Sequence, residues 1–435
     1  MGIAILKQMN AKTPAFIKII FAPVIRRKLI NNPVFISQYK ELKKMDNQCM
    51  HEIKIIQYKK VKENLIHAYE HTKYYKRVFD EADISVYNFK NIDELDKIPV
   101  LTKKMIKENF DDLRADDIND YYSATTGGST GKPLKVLLDR DSIYKEKAFI
   151  YHFWEKFGYD YKRSKLATFR GVEYGKKFYK INPLYNEIQL DPCRINAETV
   201  KKYYDKILSY GADFIHGYPS AIDAFCKFAT QEKLKIKGKF KAVFFISENV
   251  YNWQKSNIEN ALGCPAAAFY GHSERAVFAE QVQQTGLYSF NDYYCHTELD
   301  SNGCIITTGL INKKMPLIRY QLDDIAQKES DHYRIQGHWN GMVKGKKGEC
   351  ISVALLNTHN EFINKIAKLQ FVQKKEGYLQ ISIVPIDTIS EKTLMLIQNY
   401  YQSKVGNALQ VEVKIVNDLI YTSRGKYQLL VRESD

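Results

Sequence analysis

One run in this 435-residue chain has the residue types to hold phosphate: TTGGSTGKP at 125–133. Glycine has no Cβ, so a glycine-rich turn lets backbone N–H groups approach an anion closely. Ser129 and Thr130 add hydroxyls and Lys132 adds a cation. The run is not a triphosphatase loop of the form G-x-x-x-x-G-K-[ST]. Thr126 stands five positions before Gly131, and Pro133 follows Lys132. It is not G-x-G-x-x-G either. By composition alone it is also an ordinary turn. Three further groups could act on a phosphate ester: Glu274 in FYGHSE (269–274), Asp324 in PLIRYQLDDIA (316–326) and Lys426 in TSRGKYQLL (422–430). Taken singly, these are a solvated carboxylate, a turn residue and one of many exposed lysines.

The elements that must position these groups are legible in outline. Residues 37–80 carry apolar residues at helical spacing. Thr102 is a helix N-cap candidate before KKMIKENF. After the glycine-rich loop, helical patterns alternate with the short strands KLATFRG, FIHGYPS, KAVFFIS and AAAFYG. That alternation predicts an α/β architecture with sheets covered by helices. From about 284 the pattern is strand-rich and predicts a small antiparallel β subdomain. WNGMVKGKKGE (339–349) reads as a linker. Beyond it we expect a C-terminal α+β domain: a helix at 359–370, strands near 378–385, a helix at 390–405 and a strand at 409–416. The expected division is an N-terminal region of 1–338, a hinge at about 339–344 and a C-terminal domain of 345–435.

Composition excludes several classes. Hydrophobic residues make up 45% and charged residues 26%, which is globular rather than disordered. The net charge of +15 is uneven: residues 1–80 hold 16 Lys and Arg against 6 Asp and Glu. The basic excess is therefore local to the N-terminal helical portion. No RNP, KH or zinc-finger pattern accompanies it, so a nucleic-acid-binding protein is the weaker alternative. Seven scattered cysteines with no C-x-x-C predict reduced thiols in a cytoplasmic protein. The ten histidines are read as scattered, with no metal-binding pair. The N-terminal apolar stretch is interrupted by Lys18 and is too short and charged to span a bilayer. Its basic and apolar residues, within 1–35, either lie on an anionic membrane surface or pack on their own domain, and packing is the commoner outcome.

Together the motifs resemble the adenylate-forming superfamily of acyl-CoA synthetases, adenylation domains and luciferases. TTGGSTGKPL is most similar to the phenylacetate-CoA ligase-like branch, which includes capsular-polysaccharide-biosynthesis relatives. FYGHSE resembles that family's aromatic-Gly-x-[Ser/Thr]-Glu motif, and PLIRYQLDDIA its P-L-I-R-Y-R-T-G-D-I segment. GHWNGMVK (337–344) resembles the hinge, and TSRGKYQLL the terminal Arg-x-x-Gly-Lys segment. The five elements occur in the family's order, and the resemblance covers about residues 38–435.

The resemblance implies a large N-terminal domain and a mobile C-terminal domain. It implies that a carboxylate attacks the α-phosphate of ATP to give an acyl adenylate and pyrophosphate. Thr126, Gly127, Gly128, Ser129, Thr130, Gly131 and Lys132 would hold the β- and γ-phosphates. Glu274 would ligate Mg²⁺, Tyr270 and Gly271 would lie against adenine, and Ser273 near the α-phosphate. Asp324 would take the ribose hydroxyls, and Lys426 would bridge the reacting carboxylate and the α-phosphate. HGYPS (216–220) and FFISEN (244–249) would line the acid and adenine pockets. The acyl group would pass to coenzyme A or to another thiol or amine acceptor. A homodimer is the implied oligomer. Two positions depart from the family pattern: Asp323 where Gly is usual, and His338 where Arg is usual. These departures motivate the alternative of a catalytically silent scaffold in polysaccharide assembly.

Overall fold

The computed structural model describes residues 15–125, 134–171, 174, 177–248, 250–283, 285–338, 342–352, 356, 362, 365–421 and 427–432. The glycine-rich loop 126–133 and Lys426 lie outside the described residues. The chain forms two compact units. One holds the described residues up to 26, those of 157–268 and those from 342 on; the other holds 27–156 and 269–338.

The first unit contains a largely parallel sheet. Its strands run in the order Ala266–Gly271 (first half), Ala242–Phe245, Phe214–Gly217, Leu166–Phe169, Glu187–Leu190 and Tyr179–Asn182, with only the last pair antiparallel. Every residue of the strands at 166–169, 214–217 and 242–245 is buried. That is the signature of a parallel sheet covered on both faces, and it explains their continuous apolar runs. Phe214 and Phe244 stack at 5.6 Å, and Tyr159 meets both edge-on. Each such pair contributes about 0.5–1.5 kcal/mol beyond area burial. Helices Ala197–Tyr210, Pro219–Gln231 and Asn252–Leu262 connect the strands.

The same unit includes the α+β module that closes the chain. Its four strands lie in the order Gln410–Ile415, Tyr378–Pro385, Ile366–Gln373 and Leu430–Arg432. Helix Glu391–Val405 lays Ile397, Tyr401 and Val405 onto Phe371, Leu379 and Ile381. Here one expectation is overturned: 366–370 is not helical but begins the strand Ile366–Gln373. Ile363, Ile366 and Leu369 mimic helical spacing, but pairing on both edges, antiparallel to 378–385 and parallel to 430–432, decides the conformation. The linker segment is also ordered in part, because Met342–Lys344 pairs with Cys350–Ser352 as a hairpin.

The second unit begins with helices Pro33–Met45, Met50–His71 and Lys73–Glu81. Thr102 caps helix Lys103–Glu108 as expected, accepting from Met105 N at 3.3 Å. Strands Tyr121–Thr125 and Lys135–Asp139 form an antiparallel ribbon whose connection is the glycine-rich run. The strand-rich region is the expected antiparallel sheet. Its order is Cys295–Leu299, Cys304–Gly309, Tyr320–Glu329, His332–His338, Tyr288–Phe290, Phe278–Gln281 and the second half of Ala266–Gly271.

Helix Ala15–Ile30 lies within the N-terminal basic stretch. Arg26 is 5% exposed and donates to the carbonyls of Leu184, at 2.9 Å, and Tyr161. At least this basic side chain packs on its own unit, whereas Phe21 and Val24 are exposed. Among the described residues no helix is long and apolar enough to cross a membrane. Cys49, Cys193, Cys226, Cys264, Cys295 and Cys304 are free thiols.

Candidate active site

In the first unit, motif segments begin where parallel strands end. Gly217, Phe245 and Ala268 are in register across three neighbouring strands. Ligands of open α/β sheets bind beyond such carboxyl ends. Gly217 has φ +137°, and a Cβ there would overlap the carbonyl oxygen of Phe169, so the HGYPS segment requires glycine. His216 Nδ1 donates to Phe244 O at 2.9 Å and ties this segment to FFISEN. Glu248 of FFISEN accepts from Ser220 N and Ser220 Oγ, both at 3.1 Å. It also accepts from Tyr427 N at 3.1 Å. Glu248 therefore holds the residue that follows Lys426 against both expected pocket segments.

The second unit brings five of the expected site positions together. Tyr270 and Gly271 end a strand, Ser273 and Glu274 follow in the turn, and Asp324 faces them from strand Tyr320–Glu329. Gly271 and Ser273 are exposed, while Glu274 and Asp324 are each 3% exposed. Asp324 Oδ2 accepts from Tyr270 Oη at 2.7 Å and meets His272 Nε2 at 2.7 Å. The Tyr270 and His272 rings meet edge-to-face at 5.0 Å. Burial pulls the His272 imidazole down, but the Asp324 hydrogen bond and the charges of Asp324 and Glu274 together raise its pKa. Burial, then the Asp324 charge, push the Tyr270 phenol well up.

Tyr320 Oη donates to Glu274 Oε1 at 3.1 Å. Tyr320 and Asp324 lie four apart on one strand, so they share a face, and Asp323 takes the other face. Asp323 pairs there with Lys103 Nζ. The unexpected carboxylate is thus matched by a cation and does not point at the Tyr270–His272 cluster. His338 stands opposite Asp324 in the ladder.

Arg275, next to Glu274, and Arg319, next to Tyr320, take left-handed backbone conformations, at φ +54° and φ +48°. Such φ values cost about 1–3 kcal/mol for a side-chain-bearing residue and persist where surrounding contacts enforce them. Arg275 is held by Glu146 at 2.8 Å and Ser142 Oγ at 2.9 Å. Arg319 is held by Glu298 at 2.9 Å and the carbonyl of Ile98 at 2.7 Å. The carbonyl of Pro316 accepts from buried Tyr75, whose Oη in turn accepts from Ile318 N at 2.9 Å. These clamps aim Glu274 and Tyr320.

His272, Tyr320 and Lys103 are partners that the sequence reading did not single out. His272 lies inside FYGHSE, and the two-residue strand period places Tyr320 on the face of Asp324. Lys103 carries no sequence signal, since its pairing with Asp323 spans 220 positions. Among the described residues Glu274 has no ion-pair partner. A buried carboxylate bonded to a neutral phenol suits a hard cation such as Mg²⁺. Lys344, matched to the hinge lysine, pairs with Glu376 at 3.0 Å. The reading of the histidines as scattered is corrected: His67 and His71 stand four apart on one helix and gather with Asp117.

Comparison with known proteins gives three kinds of likeness. Residues 343–433 match the family model described as the CapK C-terminal domain. Protein CapK of Staphylococcus aureus is 22% identical over 442 residues, covering 94% of this chain and 97% of CapK. Phenylacetate-coenzyme A ligase of Escherichia coli (strain K12) is 29% identical over 105 residues, 24% of each chain. The crystal structure of a 2-hydroxyisobutyryl-CoA ligase in the postadenylation state, in complex with R3-HIB-AMP, superposes with a TM-score of 0.68. Its identity is 15%, covering 89% of this chain and 90% of that one. The expected α/β fold with a C-terminal α+β module is the fold of that ligase.

Proposed function

We propose that this chain, which belongs to the adenylate-forming superfamily and has CapK among its relatives, is an ATP-dependent ligase. It activates a carboxylic acid as an acyl adenylate and releases pyrophosphate. The observation that carries the reading is the buried pair Glu274 and Asp324. They face each other from the two motif segments, each hydrogen-bonded to a tyrosine of the other segment.

The residue roles are those the resemblance implies, and the pairing of Glu274 and Asp324 supports theirs. Asp324, aligned by Tyr270 and His272, presents its carboxylate edge to the ribose. Tyr270 and Gly271 receive the adenine, and Ser273 lies by the α-phosphate. Glu274, held by Tyr320, would ligate Mg²⁺, which when bound neutralises charge developing on the phosphate oxygens. Thr126 to Lys132, carried between the ribbon strands, cradle the β- and γ-phosphates. Lys426, next to the anchored Tyr427, bridges the reacting carboxylate and the α-phosphate. Residues 345–435 then turn about the hinge at 339–344 for the second step. The acyl group passes to a thiol or an amine, coenzyme A being the first candidate. Kinship with CapK favours a role in surface-polysaccharide assembly, and the local likeness to phenylacetate-coenzyme A ligase favours an aromatic acid. Contact of residues 1–35 with the inner face of the membrane and a homodimeric state belong to the same proposal.

ATP–pyrophosphate exchange over a panel of carboxylic acids tests the reading. Exchange with at least one acid is expected, and Lys426→Ala should abolish it while leaving ATP binding intact. No exchange with any acid and no ATP binding would instead leave the silent scaffold.

A further inference from the structure

The helix Met50–His71 carries His67 and His71, four residues apart and so on one face. Their side chains meet Asp117, which lies in the segment between helix Lys103–Glu108 and strand Tyr121–Thr125. The ligand atoms of the three residues all lie within 4.8 Å of one another. His67 Nε2 is 3.2 and 3.1 Å from the two Asp117 oxygens, and His71 Nε2 is 3.9 Å from Asp117 Oδ2. Zn²⁺ binds imidazole nitrogen and carboxylate oxygen at about 2.0–2.2 Å in tetrahedral geometry, so its ligand atoms sit roughly 3.4 Å apart. The observed separations bracket that value.

The surroundings have the form of a ligand shell. His71 Nδ1 donates to Asp116 Oδ1 at 2.9 Å. Its other ring nitrogen, Nε2, faces the Asp117 carboxylate. A carboxylate on the far nitrogen is the usual support of a metal-bound imidazole. His67 is 9% exposed, so its ring is held in the protein interior with Nε2 against the Asp117 carboxylate.

The carboxylates are fixed from the other side. Asp116 N donates to His71 O at 3.0 Å, and Ala115 N donates to Lys314 O at 2.9 Å. Lys314, 4% exposed, returns its ammonium to the carbonyls of Ala115 and Ile118 at 2.6 and 2.7 Å. The segment is therefore held in place before any ion arrives.

We propose that His67, His71 and Asp117 form a binding site for one divalent cation of the zinc class, with Asp116 orienting His71. Two imidazoles and one carboxylate select a borderline transition metal over Mg²⁺. The fourth position is left for water, since His71 and Asp117 are each about one-third exposed. The bound ion ties the helix to the segment that leads into strand Tyr121–Thr125 and so into the glycine-rich run. This inference stands independently of the proposed ligase activity.

The test uses the full chain stripped with chelator and re-equilibrated with ZnCl₂. Zinc per chain is measured by mass spectrometry of the metal, affinity by calorimetry, and melting temperature with and without zinc. The expected result is one tight zinc per chain and a zinc-dependent rise in melting temperature. Both should be lost in His71→Ala and Asp117→Asn, whose partly exposed side chains allow folding, checked by circular dichroism. Asp116→Asn should weaken binding about 10- to 100-fold. His51→Ala, exposed on the same helix, is the control. Millimolar Mg²⁺ should not compete. Zinc bound equally by wild type and both variants, as cysteine ligation would give, overturns the proposal. So does the absence of stoichiometric zinc in the wild type.

Discussion

Replacing Asp324 by asparagine isolates what its charge does. In the wild type one oxygen, Oδ2, accepts from both Tyr270 Oη and His272 Nε2 at 2.7 Å, and the side chain is 4% exposed. Hydrogen bonds to a charged group contribute about 1.5–3 kcal/mol, neutral ones about 0.5–1.5 kcal/mol. Losing the charge should therefore cost about 1–1.5 kcal/mol per bond, or about 2–3 kcal/mol in all. The amide adds a second effect: turned to serve one donor with its oxygen, it can present its own N–H₂ group to the other. Relief of carboxylate desolvation works the opposite way, so the sum is an upper value. For a unit of this size each kcal/mol moves the melting temperature about 2–4 °C, which predicts a fall of about 5–10 °C in Asp324→Asn. Calorimetric AMP binding should weaken about tenfold or more, because the ribose loses a charged acceptor. A melting change below about 1 °C with unaltered AMP affinity would refute both the strength assigned to the cluster and the role of Asp324.

Other outcomes follow from the same geometry. Glu274→Gln should lower ATP–pyrophosphate exchange about 100-fold or more while stability holds or rises, since the amide still accepts from Tyr320 and a buried charge is removed. Gly217→Ala should destabilise by about 3 kcal/mol, read by urea unfolding, because φ +137° and the Phe169 carbonyl leave no room for a Cβ. Burial, then the charge of Lys54, pushes His296 down to about 4 from its ordinary 6.5. Its depressed pKa means the unfolded chain takes the proton first as pH falls. Stability is full above pH 6.5 and falls by about 3 kcal/mol toward pH 4. In His296→Gln, urea unfolding at pH 7.5, 5.5 and 4.5 should show that part of the slope removed.

How much was legible is clearest residue by residue. The strands at 166–169, 214–217 and 242–245 were readable because a doubly covered parallel strand needs an unbroken apolar run. The first part of strand Ile366–Gln373, residues 366–370, was misread as helix because its apolar residues satisfy both periods, and only the neighbouring strands choose between them. The motif glutamate and aspartate were visible as types in order. Their pairing with Tyr320 and Tyr270 was not legible, because each pair joins different motif segments.

The sequence by itself determined the chemistry on offer. A Gly/Ser/Thr/Lys loop, two acidic motifs and a terminal lysine in fixed order say which groups exist and along what framework, because local periodicity and motif order are properties of the chain. Tertiary structure alone decided how those groups are held. Lys103 neutralises Asp323 across 220 positions, Arg275 and Arg319 hold strained backbone next to Glu274 and Tyr320, and His67 and His71 meet Asp117. Electrostatic pairing depends on distance in space and on burial, and neither is written in the spacing of residues along a chain.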